Sequence, residues 1–153
     1  MKADKMPRTS PSPRQYRRYL AAITLFHQSA ADSAGLSGTD YQASNLLDID
    51  GPMSSGELAR RLGLTTGATT RLVDRLVRSG IAERVEDSAD RRRALVRHTG
   101  KLPTGLAETL DLVREPIGRA LDALTPEQRE GVSKYLETAT GAYSDAARVI
   151  GTD

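Results

Sequence analysis

The stretch 56-GELARRLGLTTGATTRLVDRLVRSG-80 holds two short amphipathic helices separated by a turn, and this pattern is the strongest indication of the fold. Ser54 precedes the first helix as a predicted N-cap, and Glu57 is placed to complete a capping box. Gly63 must end that helix, since glycine readily adopts the left-handed conformation of a helix C-terminus. Thr65 is then placed to cap a second helix at once. This spacing predicts a helix-turn-helix unit.

The second helix of this unit has two different faces. Rotation by about 100° per residue places on one side Ala68, Thr69, Leu72, Val73 and Leu76. The opposite side carries Gly67, Thr70, Arg71, Asp74 and Arg78. A helix that enters a DNA groove needs short side chains in its first turn, followed by arginine for base edges or phosphates. An ordinary solvated face would have the same pattern, so the neighbouring segments must decide.

Those neighbouring segments predict a β-hairpin. Ser79 and Gly80 stop the helix, and residues 81–86 and 93–98 alternate in polarity on either side of a polar loop over 87–92. A helix-turn-helix followed directly by a hairpin is a winged helix. Its wing tip would carry three consecutive arginines, at the place where minor-groove contacts are made.

Composition excludes several other classes of protein. At 153 residues the chain is long enough for one domain, and it contains no cysteine, which excludes disulfides, thiolate metal sites and thiol nucleophiles. No apolar run approaches the ~20 residues of a membrane-spanning helix. The N-terminus has no apolar segment of the kind found in signal peptides. We therefore expect a cytoplasmic protein.

The charge distribution singles out the middle of the chain. The net charge is +2, but residues 51–100 hold ten basic and six acidic residues, a local excess of +4. Residues 1–50 have an excess of +1, and residues 101–153 of −3. This asymmetry favours an anionic partner for the predicted winged helix, although solvated arginine-rich faces are also common.

Helices are predicted on both sides of the winged helix. We expect residues 1–13 to form a disordered arm and 14–35 a helix, with Thr39 and Gln42 as the capping box of the next helix. After the wing, a helix starting near Thr104 and a second one after Thr125 would extend to residue 150. Both carry an apolar stripe, formed by Leu106, Leu110, Val113, Ile117, Leu121 and Leu124, then Val132, Leu136, Ala139, Tyr143, Ala146 and Ile150. The stripe predicts dimerisation, with completion of a single-chain core as the open alternative.

The segment 58-LARRLGLTTGATTRLVDRLVRSGIAERVEDSADRRRALVRHT-99 resembles the multiple-antibiotic-resistance regulator (MarR) family. The resembling motifs are a threonine-rich recognition helix, the pattern L-x-x-x-G-x-x-x-R and a wing with D-x-R, here Leu76, Gly80, Arg84, Asp90 and Arg92. The resemblance implies a dimeric winged-helix transcription regulator, usually a repressor that a small aromatic or amphipathic ligand releases from DNA. The segment 98-HTGKLP-103 departs from the family pattern, so we expect the helix after the wing to start only at Thr104.

The resemblance also implies roles for individual residues. Arg92 would enter the minor groove, and Asp90 would orient its guanidinium. The alternative is that both residues only close the hairpin turn. The effector pocket would lie between the dimerisation helices and the winged helix, drawing on Phe26, His27 and Tyr41.

The sequence thus predicts a mainly α protein of the α+β class. Its single domain, 14–153, would comprise a winged helix-turn-helix over about 39–99 between N- and C-terminal dimerisation helices over about 14–35 and 104–150. The partners would be a near-palindromic double-stranded operator and a second copy of the chain. The predicted DNA contacts are Ser54, Thr66, Gly67, Thr69, Thr70, Arg71, Asp74, Arg75, Arg78, Asp90, Arg91, Arg92 and Arg93.

Enzymatic function finds little support in the sequence. It contains no phosphate-binding loop with its lysine and no HExxH motif, and its two histidines, His27 and His98, lie on different elements without ligand spacing. We therefore expect no catalytic residues, metal or cofactor. A winged helix that binds only other proteins is the remaining alternative, but it would not need an arginine-rich wing.

Overall fold

The computed structural model describes residues 12–90 and 92–150 of the chain. The elements in chain order are α1 (Pro13–Ser33), α2 (Gly38–Ile49), β1 (Met53–Ser54), α3 (Ser55–Leu62), α4 (Thr66–Arg78), β2 (Ala82–Glu86), β3 (Ala94–His98), α5 (Leu106–Asp122) and α6 (Pro126–Ile150). No helix within the described ranges is long and apolar enough to span a membrane. The predicted arm of residues 1–13 falls outside these ranges except for Ser12 and Pro13.

Side-chain caps set most of the helix starts, and the predicted N-caps Ser54 and Thr65 are confirmed. The Ser54 hydroxyl accepts a hydrogen bond from the Glu57 backbone N–H at 3.1 Å, and Thr65 accepts one from Ala68. Thr125 forms a complete capping box at the start of α6, because its backbone N–H donates to the Gln128 side chain while its hydroxyl accepts from the Gln128 N–H.

Two predicted capping details are wrong. Helix α2 begins at Gly38, and its N-cap is Ser37 rather than Thr39, because the Ser37 hydroxyl accepts from the backbone N–H of Asp40. Glu57 does not return a hydrogen bond to Ser54; its carboxylate accepts from the guanidinium groups of Arg60 and Arg61 instead. In both cases another residue within four positions competes with the predicted partner: Ser37 replaces Thr39 as the cap, and the arginines replace Ser54 as the partner of Glu57.

A three-stranded antiparallel sheet has the order β1-β3-β2. The hairpin of β2 and β3 is as predicted, with Arg84 opposite Val96. Strand β1 was not predicted: Met53 pairs with Val96 on the other edge of β3. Two residues are too few to show the alternation by which a strand is recognised in sequence.

The main core joins the helix-turn-helix to the sheet. It consists of Ala43, Leu47, Met53, Leu58, Leu72, Val73, Leu76, Ile81, Ala82 and Val96, with Leu62 and Leu64 packed against it. Two features keep α3 and α4 at a fixed crossing. Gly63 ends α3 with φ 63°, and the apolar side of α4 packs into the core. The helix-turn-helix is therefore held by packing on one side only.

A second core cluster connects α1, α2 and α5. Ala30, Ala31, Tyr41, Leu106 and Leu110 form it. Helix α5 begins at Leu106, two residues later than the predicted Thr104. Its N-cap is Gly105, which adopts a φ of 82° and, as a glycine, supplies no side-chain hydrogen bond. This cluster connects α1 and α5 to α2 and so to the winged helix.

Candidate nucleic-acid interface

Helix α4 buries one side and exposes the other, as its sequence predicts. Thr69, Leu72, Val73 and Leu76 are buried. Thr69 is only 1% exposed, and its hydroxyl donates to the carbonyl of Thr65 at 3.0 Å. Thr69 is therefore not available to DNA, which corrects its inclusion among the predicted contacts.

The first turn of α4 offers an unobstructed surface. Thr66, Gly67, Thr70 and Arg71 are exposed, and the Thr70 hydroxyl donates back to the carbonyl of Thr66. A Cβ placed on Gly67 would meet nothing within 4 Å. Packing within this chain thus does not require glycine there, and the open space lies where a groove-binding helix needs close backbone approach.

The three arginines of α4 have different surroundings. The guanidinium of Arg75 donates from Nε and Nη2 to both carboxylate oxygens of Asp40 on α2, at 2.9 and 2.7 Å. This contact raises the pKa of Arg75. Arg78 reaches only the backbone carbonyl of Asp74, at 3.3 Å, and Arg71 is exposed. Sequence reasoning did not identify Asp40, because 35 residues separate the partners and no local pattern reports such a contact.

Asp74 connects α4 to the wing. Its carboxylate accepts a hydrogen bond from the guanidinium of Arg84 on β2 at 2.7 Å, and both side chains are nearly half exposed. Asp74 lies on the predicted DNA-facing side of α4. Its observed contact is with Arg84 of the hairpin, so this carboxylate links the exposed side of α4 to β2.

The wing tip is built from two aspartates whose carboxylates bind backbone N–H groups. Asp87 accepts from Ala89 at 2.9 Å, and Asp90 accepts from the backbone N–H of Arg92 at 3.0 Å. The Asp90 carboxylate thus contacts the backbone of Arg92, which is the contact expected if Asp90 closes the hairpin turn. The side chains of Arg92 and Arg93 are exposed, and Arg91 lies outside the described residues.

Charged side chains also surround the start of α3. Ser54 is half-buried and its hydroxyl is used as the N-cap. Glu57 binds Arg60 and Arg61 at 2.7 Å each, and these hydrogen bonds lower the pKa of Glu57 to about 2. The guanidinium groups of Arg60 and Arg61 on α3 are thus partly neutralised by Glu57.

The three residues predicted for an effector pocket lie together. His27 Nδ1 and the Tyr41 hydroxyl are 2.8 Å apart, and the Phe26 and His27 rings pack edge to face with centroids 5.3 Å apart. Tyr41 is 3% exposed, while Phe26 and His27 are half-buried. This aromatic cluster lies where α1 and α2 meet α5, at the second core cluster.

The terminal helices expose much of their apolar stripe. None of the described residues of α6, 126–150, is buried. Ile117, Leu136 and Tyr143 are each at least half exposed. The hydroxyls of Tyr16 on α1 and Tyr143 on α6 contact each other, and this hydrogen bond raises the pKa of Tyr16. Ile117, Leu136 and Tyr143 therefore do not complete a core within the chain, which was the alternative to dimerisation for the apolar stripe.

Comparison with known proteins gives a consistent result. A sequence model of the MarR family matches residues 34–93. The chain is 41% identical over 108 residues to the HTH-type transcriptional regulator YcgE of Bacillus subtilis (strain 168), covering 65% of this chain and 70% of that protein.

Two solved structures share the fold. The transcriptional regulator Tm0710 from Thermotoga maritima has a TM-score of 0.60 and 25% identity, covering 87% of this chain and 94% of its own. NadR, solved in complex with 4-hydroxyphenylacetate, has a TM-score of 0.57 and 19% identity, and the match covers 90% of this chain and 97% of the NadR chain. With the helix-turn-helix, the hairpin and these similarities in place, the chain belongs to the MarR family of winged-helix, DNA-binding transcriptional regulators.

Proposed function

We propose that the protein is a homodimeric repressor that binds a near-palindromic operator, with α4 of each subunit in a major groove. The observation that carries this proposal is the two-sided α4: its apolar side is fixed in the core, while Thr66, Gly67, Thr70 and Arg71 stand exposed. A rigid helix with a short-chained first turn can approach base edges closely.

The wing supplies the second contact in this proposal. The carboxylates of Asp87 and Asp90 accept backbone hydrogen bonds from Ala89 and Arg92, and Arg92 and Arg93 are exposed beside them. Arginine is attracted to a narrow, A/T-rich minor groove. In this arrangement Arg92 enters the minor groove, while Arg93, like Arg91, contacts phosphates.

Dimerisation is proposed to use the exposed stripe of α5 and α6 together with Tyr19 and Ile23 of α1, which are 52% and 36% exposed. Two recognition helices would then enter successive major grooves about 34–36 Å apart. Selection of bound sequences from a random DNA pool, followed by footprinting and sedimentation, tests this. We expect a dimer that protects two half-sites one helical turn apart. A monomer that protects isolated half-sites would overturn the proposal.

A winged helix that binds only proteins predicts a different result in the same experiment. Such a protein would bind DNA weakly, without sequence preference. Loss of affinity with rising salt is expected for any phosphate-binding protein. A preferred sequence that survives competition with random DNA therefore separates the regulator from the protein-binding module.

Release by a small aromatic or amphipathic ligand is the regulatory part of the proposal. Phe26 and His27 are half-buried rings beside the polar pair of His27 and Tyr41, a composition suited to an aromatic acid. The similarly folded NadR was solved with 4-hydroxyphenylacetate, which gives a first compound to test.

Thermal-shift screening of aromatic acids and cationic drugs, followed by DNA release assays, tests the ligand proposal. A ligand of this site should raise the melting temperature of the wild type and displace it from the operator. Tyr41→Phe keeps the ring and removes the hydroxyl, so it should weaken both effects together. Absence of any compound that both stabilises the protein and releases DNA would leave the protein as an unliganded repressor and refute this part.

A further inference from the structure

Arg75 occupies the edge of the exposed side of α4. It lies one turn after Arg71, which places it about 40° around the helix from that residue. Its side chain is 46% exposed. By position alone, Arg75 could add a positive charge beside Arg71 at the edge of a DNA groove.

Asp40 prevents this by holding the guanidinium in a two-pronged contact. Both oxygens of the Asp40 carboxylate accept hydrogen bonds from Arg75, at 2.9 and 2.7 Å, and the carboxylate side chain is only 8% exposed. The backbone N–H of Asp40 donates to the hydroxyl of the N-cap Ser37, which holds the backbone of Asp40 in the first turn of α2. If Arg75 turned towards DNA, it would leave a buried carboxylate unpaired, which is unfavourable.

We propose that Asp40 is a positioning residue that withholds Arg75 from DNA and thereby raises the protein's discrimination between operator and random sequence. Phosphate contacts fix a protein on the duplex but carry no sequence information. An additional free arginine beside Arg71 would strengthen binding to every sequence and reduce the ratio of specific to random affinity. The inference rests on the proposed use of α4 for DNA recognition.

The test compares Asp40→Ala with Asp111→Ala in the full chain, on the selected operator and on random DNA. Both changes remove one negative charge per subunit. Asp111 lies on α5, where it is 55% exposed and 3.8 Å from Arg114, so its loss leaves α4 unchanged. Asp40→Ala should increase affinity for random DNA several-fold and steepen the salt dependence by about 0.9 units per subunit. Asp111→Ala should change neither by a comparable amount.

The double variant Asp40→Ala/Arg75→Ala identifies the charge responsible. If the released Arg75 causes the effect, the double variant should return to the wild-type salt dependence and random-DNA affinity. A purely structural role of the pair would give the single and the double variant the same loss of operator binding. Asp40→Glu, which keeps the charge, should restore most of the discrimination.

Three outcomes would overturn the inference: equal behaviour of Asp40→Ala and Asp111→Ala, an increased salt slope that persists in the double variant, or weaker binding of Asp40→Ala to all DNA. If circular dichroism shows that Asp40→Ala folds poorly, Asp40→Asn replaces it, because asparagine keeps the side-chain shape and removes the charge. The same random-DNA affinity and salt dependence are then measured for Asp40→Asn. Failure of the wild type to select any operator would instead refute the proposed function, so the two failures are distinguishable.

Discussion

The winged helix and the terminal helices bury their apolar residues to very different extents. In α4, four of the thirteen residues are buried, and Leu72 is 1% exposed. In α6, which is nearly twice as long at 25 residues, none of the described residues is buried. Both segments have a regular apolar stripe in the sequence. A stripe therefore predicts that a helix has an apolar face, but not which surface will cover it.

The winged helix is stabilised by packing within the chain, whereas the terminal helices leave apolar surface that a second chain could cover. The winged helix closes its own core between α2, α3, α4 and the sheet, so its fold depends on intrachain packing. Helices α1 and α5 pack against α2 through the cluster around Tyr41 and Leu106, whereas α6 contributes no residue to it. Exposed apolar surface on that scale favours association. Mutations in the two regions should accordingly have different measurable consequences.

The largest effect is expected in the core of the winged helix. Leu72→Ala should lower the free energy of unfolding by about 2–5 kcal/mol, because it leaves a cavity beside Leu58 and Leu76. Leu25→Ala on α1, where the side chain is 64% exposed, is the matched control and should change it by less than about 0.5 kcal/mol. Urea denaturation measures both. Equal losses would mean that the two regions do not differ in packing.

The dimer should respond next most strongly. Ile117→Asp places a charge in the exposed stripe of α5 and should weaken dimerisation by roughly 2 kcal/mol or more, with circular dichroism unchanged. Leu112→Asp is the control, because Leu112 lies about 140° around the helix and is 72% exposed. Analytical ultracentrifugation over a concentration series measures the two. If both variants stay dimeric, the stripe of α5 is not the interface.

A smaller effect is expected at the recognition helix. Arg71→Ala should cost about 1–3 kcal/mol on the operator and relax base preference, if Arg71 pairs with a guanine edge. Arg78→Ala should weaken operator and random DNA alike and reduce the salt slope by about one unit per subunit. Quantitative gel shifts at several salt concentrations separate the two. If the losses on both kinds of DNA were equal for both variants, direct base readout would have to lie elsewhere.

The wing should have the smallest effect. Arg92→Ala should cost about 0.2–1 kcal/mol, the range for exposed charge contacts, and more on A/T-rich than on G/C-rich flanks. Asp90→Ala should give a smaller loss with the same flank dependence, because it loosens the turn and leaves the arginine charge. Binding assays on both kinds of flank decide this. Tighter binding by Asp90→Ala, without flank dependence for Arg92→Ala, would make the wing a nonspecific charge patch.

Sequence reasoning succeeded where the determining contacts are local. The caps at Ser54, Thr65 and Thr125 and the glycine at position 63 all act within four residues, so their spacing predicts the helix ends. It failed where two local partners compete, as with Ser37 and Thr39 at the start of α2. It also placed Thr69 in the DNA contact set, although the position of Thr69 on α4 already put it on the apolar side.

The order of the helices, the two-sided recognition helix and the hairpin with its arginine-rich tip can be predicted from the sequence, because helical and strand periodicities and turn residues act over a few positions. Three other features are visible only in the folded chain: Met53 forms a strand with Val96, Asp40 binds Arg75, and the stripe of α6 stays exposed. Each of these depends on which distant segments meet in space. The chemistry of α4 follows from its sequence, but the ion pair of Arg75 is formed with a carboxylate 35 residues away in the chain.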